Sequence, residues 1–113
     1  MTTPRVELLW WSGCPSHGSA RTMVAEAMTE LGLNPADIET VQVVTDEDAV
    51  RERFTGSPTV RVDGTDIEPP EADTPAALTC RVYFRQDGRP SPLPDPARVR
   101  HALERALDRT HPA

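Results

Sequence analysis

One short run constrains the fold more than any other feature. Val6-Glu7-Leu8-Leu9-Trp10-Trp11 is apolar almost without interruption. That pattern reads as a strand covered on both faces, and so as a central strand of a sheet. After Ser12-Gly13-Cys14-Pro15, apolar residues recur at spacings of three and four (Ala20, Val24, Ala27, Met28, Leu31), and Gly32 follows as a natural stop. This predicts a helix over residues 15–31. Pro35 restarts the chain, and the β-branched, alternating stretch 38–44 predicts a second strand. Strand, helix, strand is the parallel crossover unit.

The rest of the chain changes character twice. Thr45-Asp46-Glu47-Asp48 supplies an N-cap and an acidic first turn for a short helix through Val50 and Phe54, which Thr55-Gly56-Ser57-Pro58 breaks. Thr59–Val62, Asp63-Gly64 and Thr65–Glu68 form a hairpin signal, because Asp-Gly suits the positive φ angles of a type I′ turn. If Val62 faces Thr65, then Val60 faces Ile67 and Thr59 faces Glu68, so the chain returns beside Pro58. Residues 69–96 are proline-rich and irregular, with one β-like piece, Cys80–Phe84, and a turn at Gln86-Asp87-Gly88. A last helix is predicted from Asp95 or Pro96 to about Arg109, with Val99, Ala102, Leu103, Ala106 and Leu107 on one face. The expected architecture is α/β, ordered β-α-β-α-β-β-α, with a mixed sheet and helices on both of its faces. At 113 residues this is one domain, residues 5–109, with residues 1–4 and 110–113 as short tails.

Charge narrows the range of partners. A net charge of −6 opposes binding to nucleic acid phosphates and to anionic membrane surfaces, so neutral or cationic partners are favoured. The N-terminal residues lack the pattern of a signal peptide, and no run approaches the ~20 apolar residues of a membrane span. The expected location is cytoplasmic. In a reducing compartment, two cysteines are more often free, catalytic or metal-binding than a standing structural disulfide.

Cys14 stands at the expected mouth of the first helix, where unpaired N–H groups and the positive end of the helix dipole favour thiolate over thiol. Such cysteines titrate at roughly 3.5–7.5, against ~8.5 for a free one. Pro15 fits the first helical position, where its missing donor costs nothing. His17, two residues further, is expected to pair with Cys14 and, as imidazolium, to stabilise its thiolate. The alternative is a Cys14 that merely fills space and a solvated His17.

Cys80 follows the expected end of the hairpin by only the residues from Pro69 to Thr79, enough chain to reach back to Pro58. It could resolve a mixed disulfide on Cys14, and a bridge between the two would close a loop worth roughly 4 kcal/mol of chain entropy. A strand cysteine with no partner is the competing reading. Cys14, His17 and Cys80 also form a conceivable soft-metal trio, although Cys-x-x-His without a second pair is half a zinc signature. Neither a phosphate loop, a Ser-His-Asp order nor a dinucleotide fingerprint is present, and no cofactor is implied.

The element order, the Cys-Pro before the first helix and the Ser57-Pro58-Thr59 before the third strand together resemble the thioredoxin and glutaredoxin superfamily. The resemblance runs from Arg5 to about Leu107. It implies that Cys14 is the nucleophile attacking a disulfide or oxidised thiol, and that Pro58 is a cis-proline packed against it. It further implies that Trp11, Pro15, Ser57, Pro58 and Thr59 line the place where a disulfide-bearing protein or small thiol binds. His17 occupies the position of the family's resolving cysteine, which leaves that role to Cys80 or an external thiol. Within the superfamily the chain is most similar to small stand-alone members with Gly-Cys-Pro-Ser-His, here Gly13–His17, and a later Cys-Arg-x-Tyr, here Cys80–Tyr83. Two other functions stay open: a non-catalytic interaction module of the same shape, and soft-metal or organomercurial handling through Cys14 and Cys80.

Overall fold

A computed structural model describes residues 3–110, with side chains placed through residue 108. Residues 1, 2 and 111–113 of the expected tails, His111 among them, lie outside the described residues. The apolar run becomes β1 (Val6–Trp10), with Val6 and Leu8 buried on one face and Leu9 on the other. Burial on both faces requires neighbours on both edges and layers above and below. β1 accordingly pairs in parallel with β2 (Glu39–Gln42) and antiparallel with β3 (Thr59–Val62), Leu8 lying opposite Val60. β3 in turn pairs antiparallel with β4 (Thr65–Asp66), giving a mixed four-stranded sheet in the order β2-β1-β3-β4.

The larger core lies on one face of this sheet. There α1 (His17–Glu30) and α3 (Pro96–Thr110) bring Ala20, Val24, Met28, Val99, Leu103 and Ala106 onto Val6, Leu8, Val60 and Val62. A smaller cluster on the other face joins Leu9 and Val43 to Ala49 of α2 (Asp46–Glu52) and to Phe54. The molecule is thus mixed α/β with helices on both faces of the sheet. Among the described residues no helix is long and apolar enough to cross a membrane.

Several boundaries differ from the sequence expectation. The first helix starts at His17 with Ser16 as N-cap, because Cys14 N–H closes a turn onto the Trp11 carbonyl (3.1 Å) and Pro15 has no N–H to give. Cys14 therefore sits two residues before the cap rather than on it. α2 is closed at its start by a reciprocal capping box between Thr45 and Asp48. It ends at Glu52 instead of running through Phe54, since Arg53 turns left-handed (φ +54°) and drops Phe54 into the smaller core. The hairpin starts in its expected register, with Val62 opposite Thr65 across Asp63 (φ +52°) and Gly64 (φ +82°) and Ile67 N–H still reaching the Val60 carbonyl (3.1 Å). However, β4 ends at Asp66 rather than Glu68, because the Asp66 carboxylate takes the Glu68 N–H (2.9 Å), and Thr59 and Glu68 do not pair.

The β-like piece at 80–84 divides. Cys80 forms a bridge with Ser57, whereas Tyr83–Phe84 (β5) pairs with Pro90–Ser91 (β6) in a separate two-stranded ribbon. α3 begins where expected, with the Asp95 carboxylate accepting from Ala97 N–H at 2.9 Å.

Candidate functional site

Three segments converge beyond the C-terminal end of β1: the Trp11–Ser16 turn, Gly56–Thr59 leading into β3, and Thr79–Tyr83 from the proline-rich stretch. Ser57 is the hub. Its hydroxyl accepts from Trp11 N–H (3.0 Å), its N–H donates to the Thr79 carbonyl (2.8 Å), and its carbonyl accepts from Arg81 N–H (2.8 Å). The Ser57-Pro58 peptide bond is cis.

Cys14 packs against this hub and is only 1% exposed, its thiol donating to the Ser57 carbonyl at 3.4 Å when protonated. Burial alone raises its pKa. Hydrogen bonds from the Ser16 backbone N–H and from the side chains of Cys80, Ser16 and Ser57 outweigh that, and the thiol ends below its ordinary value. Cys80 is exposed and lies beside Cys14 across the Ser57 backbone. Its pKa is raised, chiefly by its interaction with the Cys14 thiol, with burial and the adjacent Cys14 charge adding to the effect. The pair loses its protons in two steps that belong to both residues.

His17 corrects the expectation placed on it. Its ring stacks on Trp10, centroids 4.3 Å apart, and its Nδ1 lies 3.1 Å from the Cys14 carbonyl rather than from the sulfur. A carbonyl only accepts, so Nδ1 carries the hydrogen and His17 braces the turn as a donor. The positive field at the thiol comes instead from Ser16, whose backbone N–H is one of the free donors of the first turn of α1.

The segment carrying Cys80 is clamped by Arg81. The guanidinium is 9% exposed and donates to the Asp66 carboxylate (Nη1 to Oδ2, 2.6 Å), to the Thr59 hydroxyl (3.4 Å) and to the Glu68 carbonyl, and it lies over the Tyr83 ring (4.6 Å to the centroid). Tyr83, buried, donates its hydroxyl to the Pro58 carbonyl, and burial raises its pKa far enough to keep the phenol neutral. Gly56 permits the close fit: with φ +153°, a Cβ there would lie 2.9 Å from Arg81 Cβ and 3.0 Å from its backbone. Gly13 has a similar reason, since a Cβ would run into the Trp11 indole at 2.3 Å.

The structure therefore brings Cys14, Cys80, Ser57 and Pro58 together and turns His17 aside. Pro15 is exposed in the turn, Trp11 is half-buried over Gly13, and Thr59 is buried with its hydroxyl donating to the Gly56 carbonyl (2.7 Å). Sequence reasoning assigned no role to Ser16, Gly56, Arg81 or Tyr83. The Cys-Arg-x-Tyr pattern held the signal for the last two, but nothing local to it says that Asp66 and Pro58 are the partners. Among the described residues no group of three or more His, Cys, Asp or Glu side chains is arranged to hold a metal ion. Comparison with known proteins returns no match to a family model, to a curated protein or to a solved structure.

Proposed function

We propose that the chain is a thioredoxin-like thiol–disulfide redox protein whose working unit is the Cys14–Cys80 pair. One sulfur of the pair attacks a disulfide as thiolate, the other resolves the mixed disulfide that results, and the oxidised form is a Cys14–Cys80 disulfide. One observation carries this reading: two thiols with oppositely shifted pKa values meet at one residue, Cys14 against the Ser57 carbonyl and Cys80 bridged to the Ser57 backbone, beside a cis-proline. A purely structural pair gains nothing from surroundings that favour the thiolate at one sulfur, whereas a thiolate nucleophile and leaving group does. Support for the family comes from the strand order β2-β1-β3-β4, with the reactive turn following β1 and Pro58 preceding β3. A thiol or disulfide-bearing partner and a reducing, cytoplasmic setting complete the proposal.

The test is to equilibrate the protein in buffers of increasing disulfide content and weigh it intact. A loss of two hydrogens, mapped to a bridge between Cys14 and Cys80 and absent from Cys14→Ser and Cys80→Ser, is the expected result. Should the protein stay reduced throughout while Cys14 titrates as an ordinary thiol, the redox reading is wrong.

A further inference from the structure

Resting on that reading, the geometry points to Cys80, not Cys14, as the sulfur that exchanges with an outside partner, and to a small, largely apolar thiol or disulfide as that partner. Three observations lead there. First, Cys14 is 1% exposed while Cys80 is exposed, so an incoming sulfur meets Cys80 before it can reach Cys14. Second, the N–H and C=O of Ser57 are both bonded to residues 79 and 81 of the same chain, so an extended polypeptide has no free backbone there to pair with. Third, Cys80 lines a groove of about 400 Å³ with Pro69, Pro70, Val82 and Phe84, and both Val82 (60%) and Phe84 (57%) are exposed. The segment alternates, with Arg81 and Tyr83 turned into the protein and Cys80, Val82 and Phe84 turned out. A groove of this volume is at the lower end of the small-molecule range. Arg81 also lines the groove but is paired with Asp66, and of the two carboxylates there Glu68 is paired with Arg98, so the charge left in the lining is that of Glu71, which disfavours an anion.

The exchange balances as follows for reduction of the protein. An external thiolate attacks Cys80 Sγ, a bond forms between those sulfurs, and the Cys14–Cys80 bond breaks. The electron pair leaves on Cys14 Sγ, where Ser16 and Ser57 stabilise the thiolate charge. A second external thiolate attacks the outer sulfur of the mixed disulfide, the small disulfide departs, and Cys80 leaves as thiolate and takes a proton from solvent. Two external thiols are oxidised and one protein disulfide is reduced. Run backwards, Cys80 attacks the small disulfide and Cys14 closes onto Cys80. This ordering reverses the one that the sequence alone suggests.

The decisive experiment uses the oxidised wild-type protein, mercaptoethanol as the neutral thiol, an acid quench during partial reduction, and peptide mapping of the adduct. Cleavage after arginine places Cys14 and Cys80 on different peptides. The mixed disulfide is expected on the Cys80 peptide in roughly tenfold or greater excess. An equal or larger share on Cys14 overturns the inference while leaving the redox pair intact. If no Cys14–Cys80 disulfide forms to begin with, the redox reading itself fails, so the two failures are distinguishable. The forward direction gives a second readout: hydroxyethyl disulfide, at a pH where both thiols are ionised, is expected to modify Cys80 in Cys14→Ser faster than Cys14 in Cys80→Ser. The reverse order refutes the assignment.

Discussion

Cys14 and Cys80 meet at Ser57, yet they are held in place by opposite kinds of physics. Cys14 sits in a turn between β1 and α1, two elements fixed by the larger and smaller cores, and its position follows from apolar burial. Cys80 sits on an irregular stretch anchored before it by Ala76 and Leu78 on the smaller core and after it by buried Tyr83, but at the cysteine itself the fastening is two backbone bonds to Ser57 and the Arg81–Asp66 pair. A site built this way has one half set by apolar burial and one half set, at the cysteine itself, by a few polar contacts. The polar half is therefore the one that can be loosened selectively, and loosening it uncovers Cys14.

Arg81→Met is the strongest way to break that contrast. It leaves the Asp66 carboxylate, 14% exposed, without its partner, and removing one member of such a pair costs about 3 kcal/mol. Denaturant unfolding measures the loss, and alkylation of Cys14 should accelerate at the same time. An unchanged Cys14 labelling rate would show that the segment is held by something other than Arg81. Gly56→Ala acts from the facing side, where the added methyl meets Arg81 at under 3 Å. A loss of roughly 2 kcal/mol is expected, with faster labelling of Cys14 and not of Cys80. Tyr83→Phe removes only the hydroxyl that the Pro58 carbonyl accepts and should cost about 1 kcal/mol in thermal or chemical denaturation. A neutral result for that variant would mean that water replaces the hydroxyl at no cost.

The same contrast decides what could be read from the sequence. The central strand, the N-cap at Thr45 and the Asp63-Gly64 turn are local signals: each depends on residues within a few positions of one another, and each appears in the structure where its pattern places it. The hairpin register extended this reach, because it returned the chain to Pro58 and so brought Cys80 near Cys14. The start of α1 was harder to see. Cys14 and Ser16 can both cap a helix, and the choice turns on Cys14 N–H bonding to the Trp11 carbonyl. The role of Arg81 was beyond local reading, since its partners Asp66, Thr59 and Glu68 are distant in sequence and polar pairing has no periodicity. For His17, proximity in sequence gave the wrong atom: ring stacking on Trp10 directs it to the carbonyl of Cys14 and away from its sulfur.

Ser16 separates chemistry from stability within the half set by apolar burial. It caps α1 without a side-chain hydrogen bond to the helix backbone, and its backbone and hydroxyl both help to lower the Cys14 pKa. Ser16→Ala should therefore change unfolding free energy by no more than roughly 0.5 kcal/mol, unlike an ordinary cap deletion. The thiolate, in contrast, loses a donor, so the first step in an ultraviolet thiolate titration moves upward. The sign follows from linkage. A thiol depressed in the folded state adds stability above its unfolded pKa, and that is lost as pH falls through the folded value. Cys80, raised in the folded state, adds stability below its unfolded pKa and loses it as pH rises through the folded one. Removing the Ser16 hydroxyl should thus move the lower step more than the upper one, because Ser16 acts on Cys14 and reaches the alkaline limb only through the coupling between the sulfurs. If both steps moved equally, that coupling rather than Ser16 would dominate the titration of the pair.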